Sequence, residues 1–590
     1  MNGKIYNNLN DIIQNKNKKI HQQSMLRHTV RRNMEFIVIG FAIFAAFIAK
    51  GIYDKKNNRI KLIQKFKREW GQIPDEEYTY ETLKSLSSYY RSIKDDIKDV
   101  DDITWNDIDM DQIFMLINNT GSAMGEEYLY SVLRKVKFKE AELLERNRLI
   151  EFFQNNEEKR IMLQIAFRGM GKLRHISVYE YINQLDSLKQ KSSLPHYLMA
   201  GGLIAAILLI FINPPTGGFL TFVMVANNII QYYRRKAEID TYFSVCSYII
   251  RLLNSVKDIT KLDIPEIKSY TDQLEKASTQ FEKFKKGSRI VAGKNPNGDI
   301  LDLILDYERM LFHTDLIKFN SMLNTFKKNR VVLNEMYVNI GTLDSMIAVA
   351  SFRTMLDYYS LPELTTNSAP FLDVTELFHP MIEDPVTNSI DENRCVLITG
   401  SNASGKSTFI KTLAINAVLS QTIYTSMSKS YKASFFQIAS SMALQDSIFS
   451  KESYYIVEIK SLKRILDRLN EKIPTLCFVD EVLRGTNTLE RIAASSQILY
   501  SLSQGNAMCF AATHDIELTH ILENYYSNYH FQEQVVDNNV LFDYKLLSGR
   551  AVSKNAIKLL GVMGYSQDII DNATNSANHF LEEGIWDILK

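Results

Sequence analysis

Apolar residues are distributed along this chain in three ways, and each predicts a different kind of element. Between 54 and 195, and again between 237 and 365, they recur at helical spacing among charged residues. Ile267, Tyr270, Leu274, Ala277, Phe281 and Phe284 make one stripe; Leu303, Ile304, Tyr307 and Leu311 make the next, followed by Phe319 and Leu323. Gly293-Lys294-Asn295-Pro296-Asn297-Gly298 reads as a turn between them. Beyond 366 the apolar residues form short compact runs, Cys395-Val396-Leu397-Ile398, Leu476-Cys477-Phe478-Val479 and Met508-Cys509-Phe510-Ala511-Ala512, which have the form of buried strands.

The third pattern is unbroken hydrophobicity. Residues 198–212 and 219–233 carry no charge and are joined by Asn213-Pro214-Pro215-Thr216-Gly217-Gly218, as expected of a transmembrane helical hairpin over 196–233. Lys189 and Lys191 precede it and Arg234, Arg235 and Lys236 follow, so both ends are expected on the cytoplasmic side. A shorter run at 36–49 reaches spanning length only with its flanks, giving a candidate transmembrane segment over 34–53. The polar, basic tail at 1–33 has no cleavage pattern of a signal peptide, and its side of the bilayer is left open. A hairpin buried in a protein core is the competing reading. The expected localisation is therefore an inner or plasma membrane, with the C-terminal domain at 366–590 in the cytoplasm.

Charge adds little. The 69 basic and 68 acidic residues leave a net +1, so any contact with nucleic acid has to come from a local patch. Cys246, Cys395, Cys477 and Cys509 are far apart with no paired spacing, which speaks for buried thiols and against disulfides or a zinc site.

The chemistry is concentrated after the run at 395–398. Gly400-Ser401-Asn402-Ala403-Ser404-Gly405-Lys406-Ser407-Thr408 lies between that strand and a helical pattern from Phe409 to Ser420, which is the context of a phosphate loop. Backbone amides would cradle the phosphates of ATP, Lys406 would reach the β and γ oxygens, and the Ser407 hydroxyl would complete a Mg²⁺ shell. The run at 476–479 ends in Asp480-Glu481, the form of a Walker B element. Asp480 is expected to hold Mg²⁺ through a water, and Glu481 to orient or deprotonate the attacking water. The run at 508–512 leads to Thr513-His514-Asp515, which would place His514 near the γ-phosphate.

Together with Arg484-Gly485-Thr486-Asn487-Thr488 and Ile516-Glu517-Leu518-Thr519, these motifs resemble the ATPase domain of the MutS DNA mismatch repair family. The likeness covers roughly 366–590, including Leu377-Phe378-His379-Pro380, Tyr544-Lys545-Leu546 and the closing stretch from Gly564. It implies an α/β P-loop domain of ABC type that hydrolyses ATP at a homodimer interface. The segment from Asp446 to Ile459 is similar to the family's signature, which implies that Ser453 acts across the dimer on the partner's γ-phosphate. The family loop usually reads GPNMGGKS, so Ser401, Ala403 and Ser404 depart from it, and Val386 and Tyr544 stand where relatives place an aromatic against adenine.

Asn118 to Glu126 and the residues after it more weakly resemble the start of the family's lever. The resulting organisation is a tail at 1–33, a segment at 34–53, a helical linker at 54–100, an all-α lever-like region at 101–195, the hairpin at 196–233, a helical return at 234–365 and the ATPase domain at 366–590. A Phe-x-Glu mismatch wedge is not evident, since Phe138-Lys139-Glu140 falls inside the lever-like region. DNA binding is implied by the resemblance alone, mismatch-repair partner proteins are unspecified, and a membrane ATPase that moves a membrane partner is the alternative.

Overall fold

The computed structural model describes residues 49–590 apart from 52, 55, 185–191, 283–299, 367–368, 402–403, 443–453, 470–471, 537–538, 552–556, 558–559, 562, 587 and 590. The tail at 1–33, most of the segment at 34–53, the turn at 293–298, Asn402, Ala403 and Ser453 thus lie outside the described residues. The chain divides into two compact units, Met1–Arg68 and Glu69–Lys590. In the first, residues 56–68 are helical.

The second unit is mostly helical up to Met355 and mixed α/β beyond it. Four of its helices organise the first part: α1 (Ala123–Arg134), α2 (Leu194–Ile210), α3 (Pro214–Thr260) and α4 (Arg330–Met355). The stripes around 267–281, 303–311 and 319–323 fall on helices Lys268–Thr279, Ile300–Phe312 and Thr314–Lys328. Leu274, Phe281, Phe319 and Leu323 are buried in one continuous core that also takes in the inward face of α4.

The entry to α1 shows why a glycine stands there. Ser122 caps the helix, its Oγ accepting from the Gly125 amide at 3.0 Å. Asp344 of α4 closes the cap from outside, accepting from the amides of Gly121 (3.0 Å) and Ser122 (2.9 Å) and from the Ser122 hydroxyl (2.5 Å). A Cβ on Gly125 would stand 2.1 Å from Asp344 Oδ2, so a side chain at 125 would push α1 off α4.

The expectation of a transmembrane hairpin, and with it the membrane localisation, is corrected here. No described helix is long and apolar enough to cross a membrane. The helix α2 has 17 residues, about 25 Å at 1.5 Å per residue, short of a hydrocarbon core of about 30 Å. The helix α3 runs unbroken for 47 residues, and its first turns dilute the apolar content with two prolines, two glycines, Asn227, Asn228 and Gln231. Asn228 is fully buried and donates to the carbonyls of Leu311 (2.8 Å) and Met199 (3.4 Å). His313, likewise buried, meets His196 at 2.9 Å between the Nδ1 atoms. The two runs pack on each other and, along one side, against the helices at 300–328, while Ile204, Leu208, Phe211, Phe219 and Phe222 stay exposed.

The α/β part holds two sheets and a hairpin. The larger sheet has the order β12-β9-β4-β8-β7-β6, with β4 (Cys395–Thr399), β6 (Gln437–Ser441), β7 (Thr475–Asp480), β8 (Ala507–Thr513) and β9 (Tyr526–His530) parallel and β12 (Leu547–Ser548) antiparallel at the edge. Every residue of β4, β6, β7 and β8 is buried, which explains the apolar runs within β4, β7 and β8. A smaller sheet, β1 (Glu363–Thr365), β5 (Ser430–Ser434), β2 (Leu372–Leu377) and β3 (Asn388–Glu392), lies in that order, and β10 (Glu533–Val536) pairs with β11 (Asn539–Phe542).

Arg353, near the end of α4 and 1% exposed, ties the helical part to the α/β part. It donates to Asn147 Oδ1 (2.7 Å), Thr425 Oγ1 (2.8 Å) and the Tyr424 carbonyl (2.8 Å).

Burial pushes the Asp344 carboxyl up to about 6 from an ordinary 3.8, against the amides and hydroxyl that favour its charge. Between these values the folded chain holds a proton that the unfolded chain has released, so stability falls as pH rises through this window. Asp344 is expected to contribute roughly 2–3 kcal/mol of such loss between about pH 4 and pH 6. Denaturant unfolding of the wild type and Asp344→Asn across that range checks this, the variant showing the shallower pH dependence.

Candidate functional site

The parallel order places the C-terminal ends of β4, β7 and β8 side by side, with β4 between β8 and β9. In open parallel sheets this is where ligands bind, because loops diverge there to opposite faces. The loop after β4 leads into α5 (Lys406–Thr422). Gly400 has φ +150°, and a Cβ there would stand 2.7 Å from the Phe531 carbonyl oxygen; Gly405 has φ +108°. Both glycines therefore hold backbone that an L side chain resists.

Ser404, Gly405, Lys406, Ser407 and Thr408 line a cavity of about 580 Å³. Glu481 and Tyr544 line it too, as do His379 and Val386 from the segment after β2. The sequence-predicted loop, carboxylate and aromatic thus share one cavity. The Lys406 ammonium lies across the loop, donating to the carbonyls of Gly400 and Ser401 at 2.7 Å each. Burial pushes it down to about 8, offset in part by Glu481 and Asp480. The Ser401 hydroxyl donates to Glu533 of β10 at 2.8 Å.

Asp480, the last residue of β7, is 7% exposed, and its buried Oδ1 has no hydrogen-bond partner among the described residues. Glu481 follows with φ +54°. Its Oε1 accepts from His514 Nε2 at 2.8 Å and its Oε2 pairs with Arg484 Nε. The His514 hydrogen bond first, with the Arg484 charge, outweighs burial and holds the Glu481 carboxyl below its ordinary value. His514 does not line that cavity; with Glu481, Arg484, Arg491 and Asp515 it lines a smaller recess of about 220 Å³. Arg491 of α7 (Thr488–Gln504) holds Asp515 through two bonds of 2.6 and 2.9 Å.

Sequence reasoning missed Phe531, which follows β9 beside β4, and Glu533 of the β10–β11 hairpin, and it did not single out Glu458 of α6 (Tyr454–Asp467). The Glu458 carboxylate accepts from the Leu483 amide. Its five-residue distance from Ser453 was the available signal. Ser453 itself, Asn402 and Ala403 fall outside the described residues.

A glycine-bounded loop at a helix start and Glu481, at the end of a strand separated from the loop's own by β8, line one cavity, and sequence comparison agrees with that geometry. Residues 396–581 match MutS domain V. The DNA mismatch repair protein MSH3 of Candida albicans is 26% identical over 375 residues, 59% of this chain and 34% of that protein. MutS protein homolog 4 of Mus musculus is 30% identical over 266 residues, 42% of this chain and 27% of its own. The DNA mismatch repair protein MutS of a Thermotoga strain is 27% identical over 282 residues, 45% of this chain and 35% of its own. These likenesses support membership of the MutS family and ATPase activity at the level of that family. The chain spans about a third of the length of these relatives. Two of the three are named as DNA mismatch repair proteins, which agrees with the correction of the membrane localisation.

Gly400→Ala would set a Cβ against the Phe531 carbonyl and, at 2.9 Å, against Ser404 Oγ. It is expected to destabilise the chain by about 1–3 kcal/mol, read as a lower midpoint of denaturant unfolding. An unchanged midpoint would show that the loop relaxes at no cost.

Proposed function

We propose that residues 366–590 bind ATP with Mg²⁺ in the 580 Å³ cavity and hydrolyse it, and that the chain works as an ATP-dependent DNA-binding protein of the mismatch repair type. The observation that carries this reading is the sharing of one cavity by Lys406, at a helix start behind two glycines of positive φ, and Glu481, at the end of the next strand but one.

The residues divide the work by position. Amides of the loop from Gly400 to Thr408, among them those of Asn402 and Ala403, take the phosphates together with the positive end of α5. Lys406 turns from the Gly400 and Ser401 carbonyls to the phosphate oxygens; as a cation on a rigid helix start it stabilises charge that builds on the γ-phosphoryl group. Glu481, kept ionised by His514 and Arg484, accepts from the attacking water and fixes its direction. The donor set also fits Mg²⁺: Asp480 offers a buried carboxylate oxygen without a partner among the described residues, and Ser407 offers an exposed hydroxyl at the head of α5. Bound there, the ion supplies positive charge to the β and γ oxygens. Tyr544, half exposed at the cavity and 3.2 Å from where a Gly405 Cβ would lie, would take the base, with Val386 lining the same cavity.

The dimeric arrangement, with Ser453 of one copy acting on the nucleotide of the other, rests on the family resemblance and on the position of α6, which begins at the next residue. DNA as a partner rests on the printed names of the relatives.

Lys406→Ala is expected to weaken Mg·ATP binding and turnover together, whereas Glu481→Gln keeps binding and loses about a hundredfold or more of turnover. Phosphate release by the purified chain, with and without duplex DNA at fixed salt, checks both parts. Wild-type turnover by Glu481→Gln would refute the assigned base, and indifference to DNA would refute the DNA-dependent reading.

A further inference from the structure

The turn after β7 carries Glu481 and is conformationally expensive. Glu481 and Leu483 both have left-handed backbones, φ +54° and +60°, and neither is a glycine. Such a turn persists only where its surroundings over-determine it. Three elements hold it. The Glu481 amide donates to the Ala512 carbonyl of β8 at 3.0 Å, and the Val482 carbonyl accepts from Ser495 Oγ of α7 at 3.2 Å. The third hold comes from α6, where Glu458 Oε1 accepts the Leu483 amide. One turn earlier on α6, Tyr455 packs so closely that a Cβ on Gly485 would meet its own Cβ at 3.1 Å.

Glu458 is 7% exposed, and burial pushes its carboxyl above the ordinary value against the pull of the Leu483 and Arg484 amides. A buried acid on a helix, spent on one backbone amide of a strained turn, is costly unless that amide matters. The Leu483 amide lies between Glu481 and Arg484, the two ends of the ion pair that fixes the Glu481 carboxylate in the cavity.

We propose that Glu458 is a positioning residue for ATP hydrolysis: it straps the strained turn 481–484 to α6 and thereby aims the Glu481 carboxylate, without itself touching nucleotide. The proposal rests on the reading of Glu481 as the group that acts on water.

The test compares Glu458→Gln, which keeps an oxygen acceptor at the same reach, with Glu458→Asp, which keeps the charge and withdraws the acceptor by one methylene. In the full chain, Glu458→Asp is expected to lower kcat by about tenfold to a hundredfold with KM and the Kd for Mg·ATP unchanged, and Glu458→Gln to retain most of kcat. Amide hydrogen exchange gives a readout independent of turnover: the peptide over 480–486 should lose protection in Glu458→Asp while β4 and β8 keep theirs. Unchanged exchange in Glu458→Asp overturns the strap. Faster exchange with full kcat overturns its catalytic role, as does an equal loss of kcat in both variants. A wild-type chain without turnover would instead sink the ATPase reading, and exchange would still decide whether the strap exists.

Discussion

The chemistry of this chain depends on the parallel alignment of β4, β7 and β8, which brings three strand ends to one edge of a buried sheet. Sheet and helices leave that edge in low dielectric, so each charged group on it has to be matched. Lys406 rests on two carbonyls, Glu481 is shared between His514 and Arg484, and Arg491 holds Asp515. What stays unmatched is informative. The buried Oδ1 of Asp480 lacks a partner among the described residues, and Lys406 is pushed down to about 8 by burial. A desolvated cation close to a carboxylate with an unsatisfied buried oxygen gains most from a polyphosphate that arrives with a divalent metal.

The helical part is joined to this edge by buried polar contacts. Arg353 reaches from α4 to the residues that follow α5, and the Lys137 amide donates to the Gln421 carbonyl at the end of α5 at 2.8 Å. Asp107 accepts from Ser440 Oγ of β6 at 2.6 Å. The helix that starts at the candidate phosphate site is thus gripped at its far end by the helical part. Buried hydrogen-bonded charge of this kind is costly to leave half-made, so the two parts are expected to move as coupled bodies.

Much of the α/β part was legible in the sequence because buried parallel strands write themselves as unbroken apolar runs. The runs at 395–398, 476–479 and 508–512 correspond to β4, β7 and β8, and the glycines at 400 and 405 stand where positive φ requires them. The same rule misled at 198–233. Unbroken apolar residues there suggested a bilayer, yet a 17-residue α2 and an α3 that buries Asn228 against two carbonyls form a packed helical hairpin. A run of apolar residues does not disclose its own helix boundaries or the polar atoms that partner it across the fold. The partners of Glu533 and Glu458 were illegible for a related reason. An isolated glutamate reads as solvated surface, and only the three-dimensional path of β10 and α6 sets one against Ser401 and the other against Leu483.

The account stands on a nucleotide being held between the loop at 400–408 and the acidic pair at 480–481. Isothermal titration of the purified chain with a slowly hydrolysed ATP analogue, with and without Mg²⁺, measures this most directly. One nucleotide bound per chain, with affinity that strengthens when Mg²⁺ is present, is the predicted result. Absence of binding at millimolar analogue in folded protein, or binding indifferent to Mg²⁺, would contradict it.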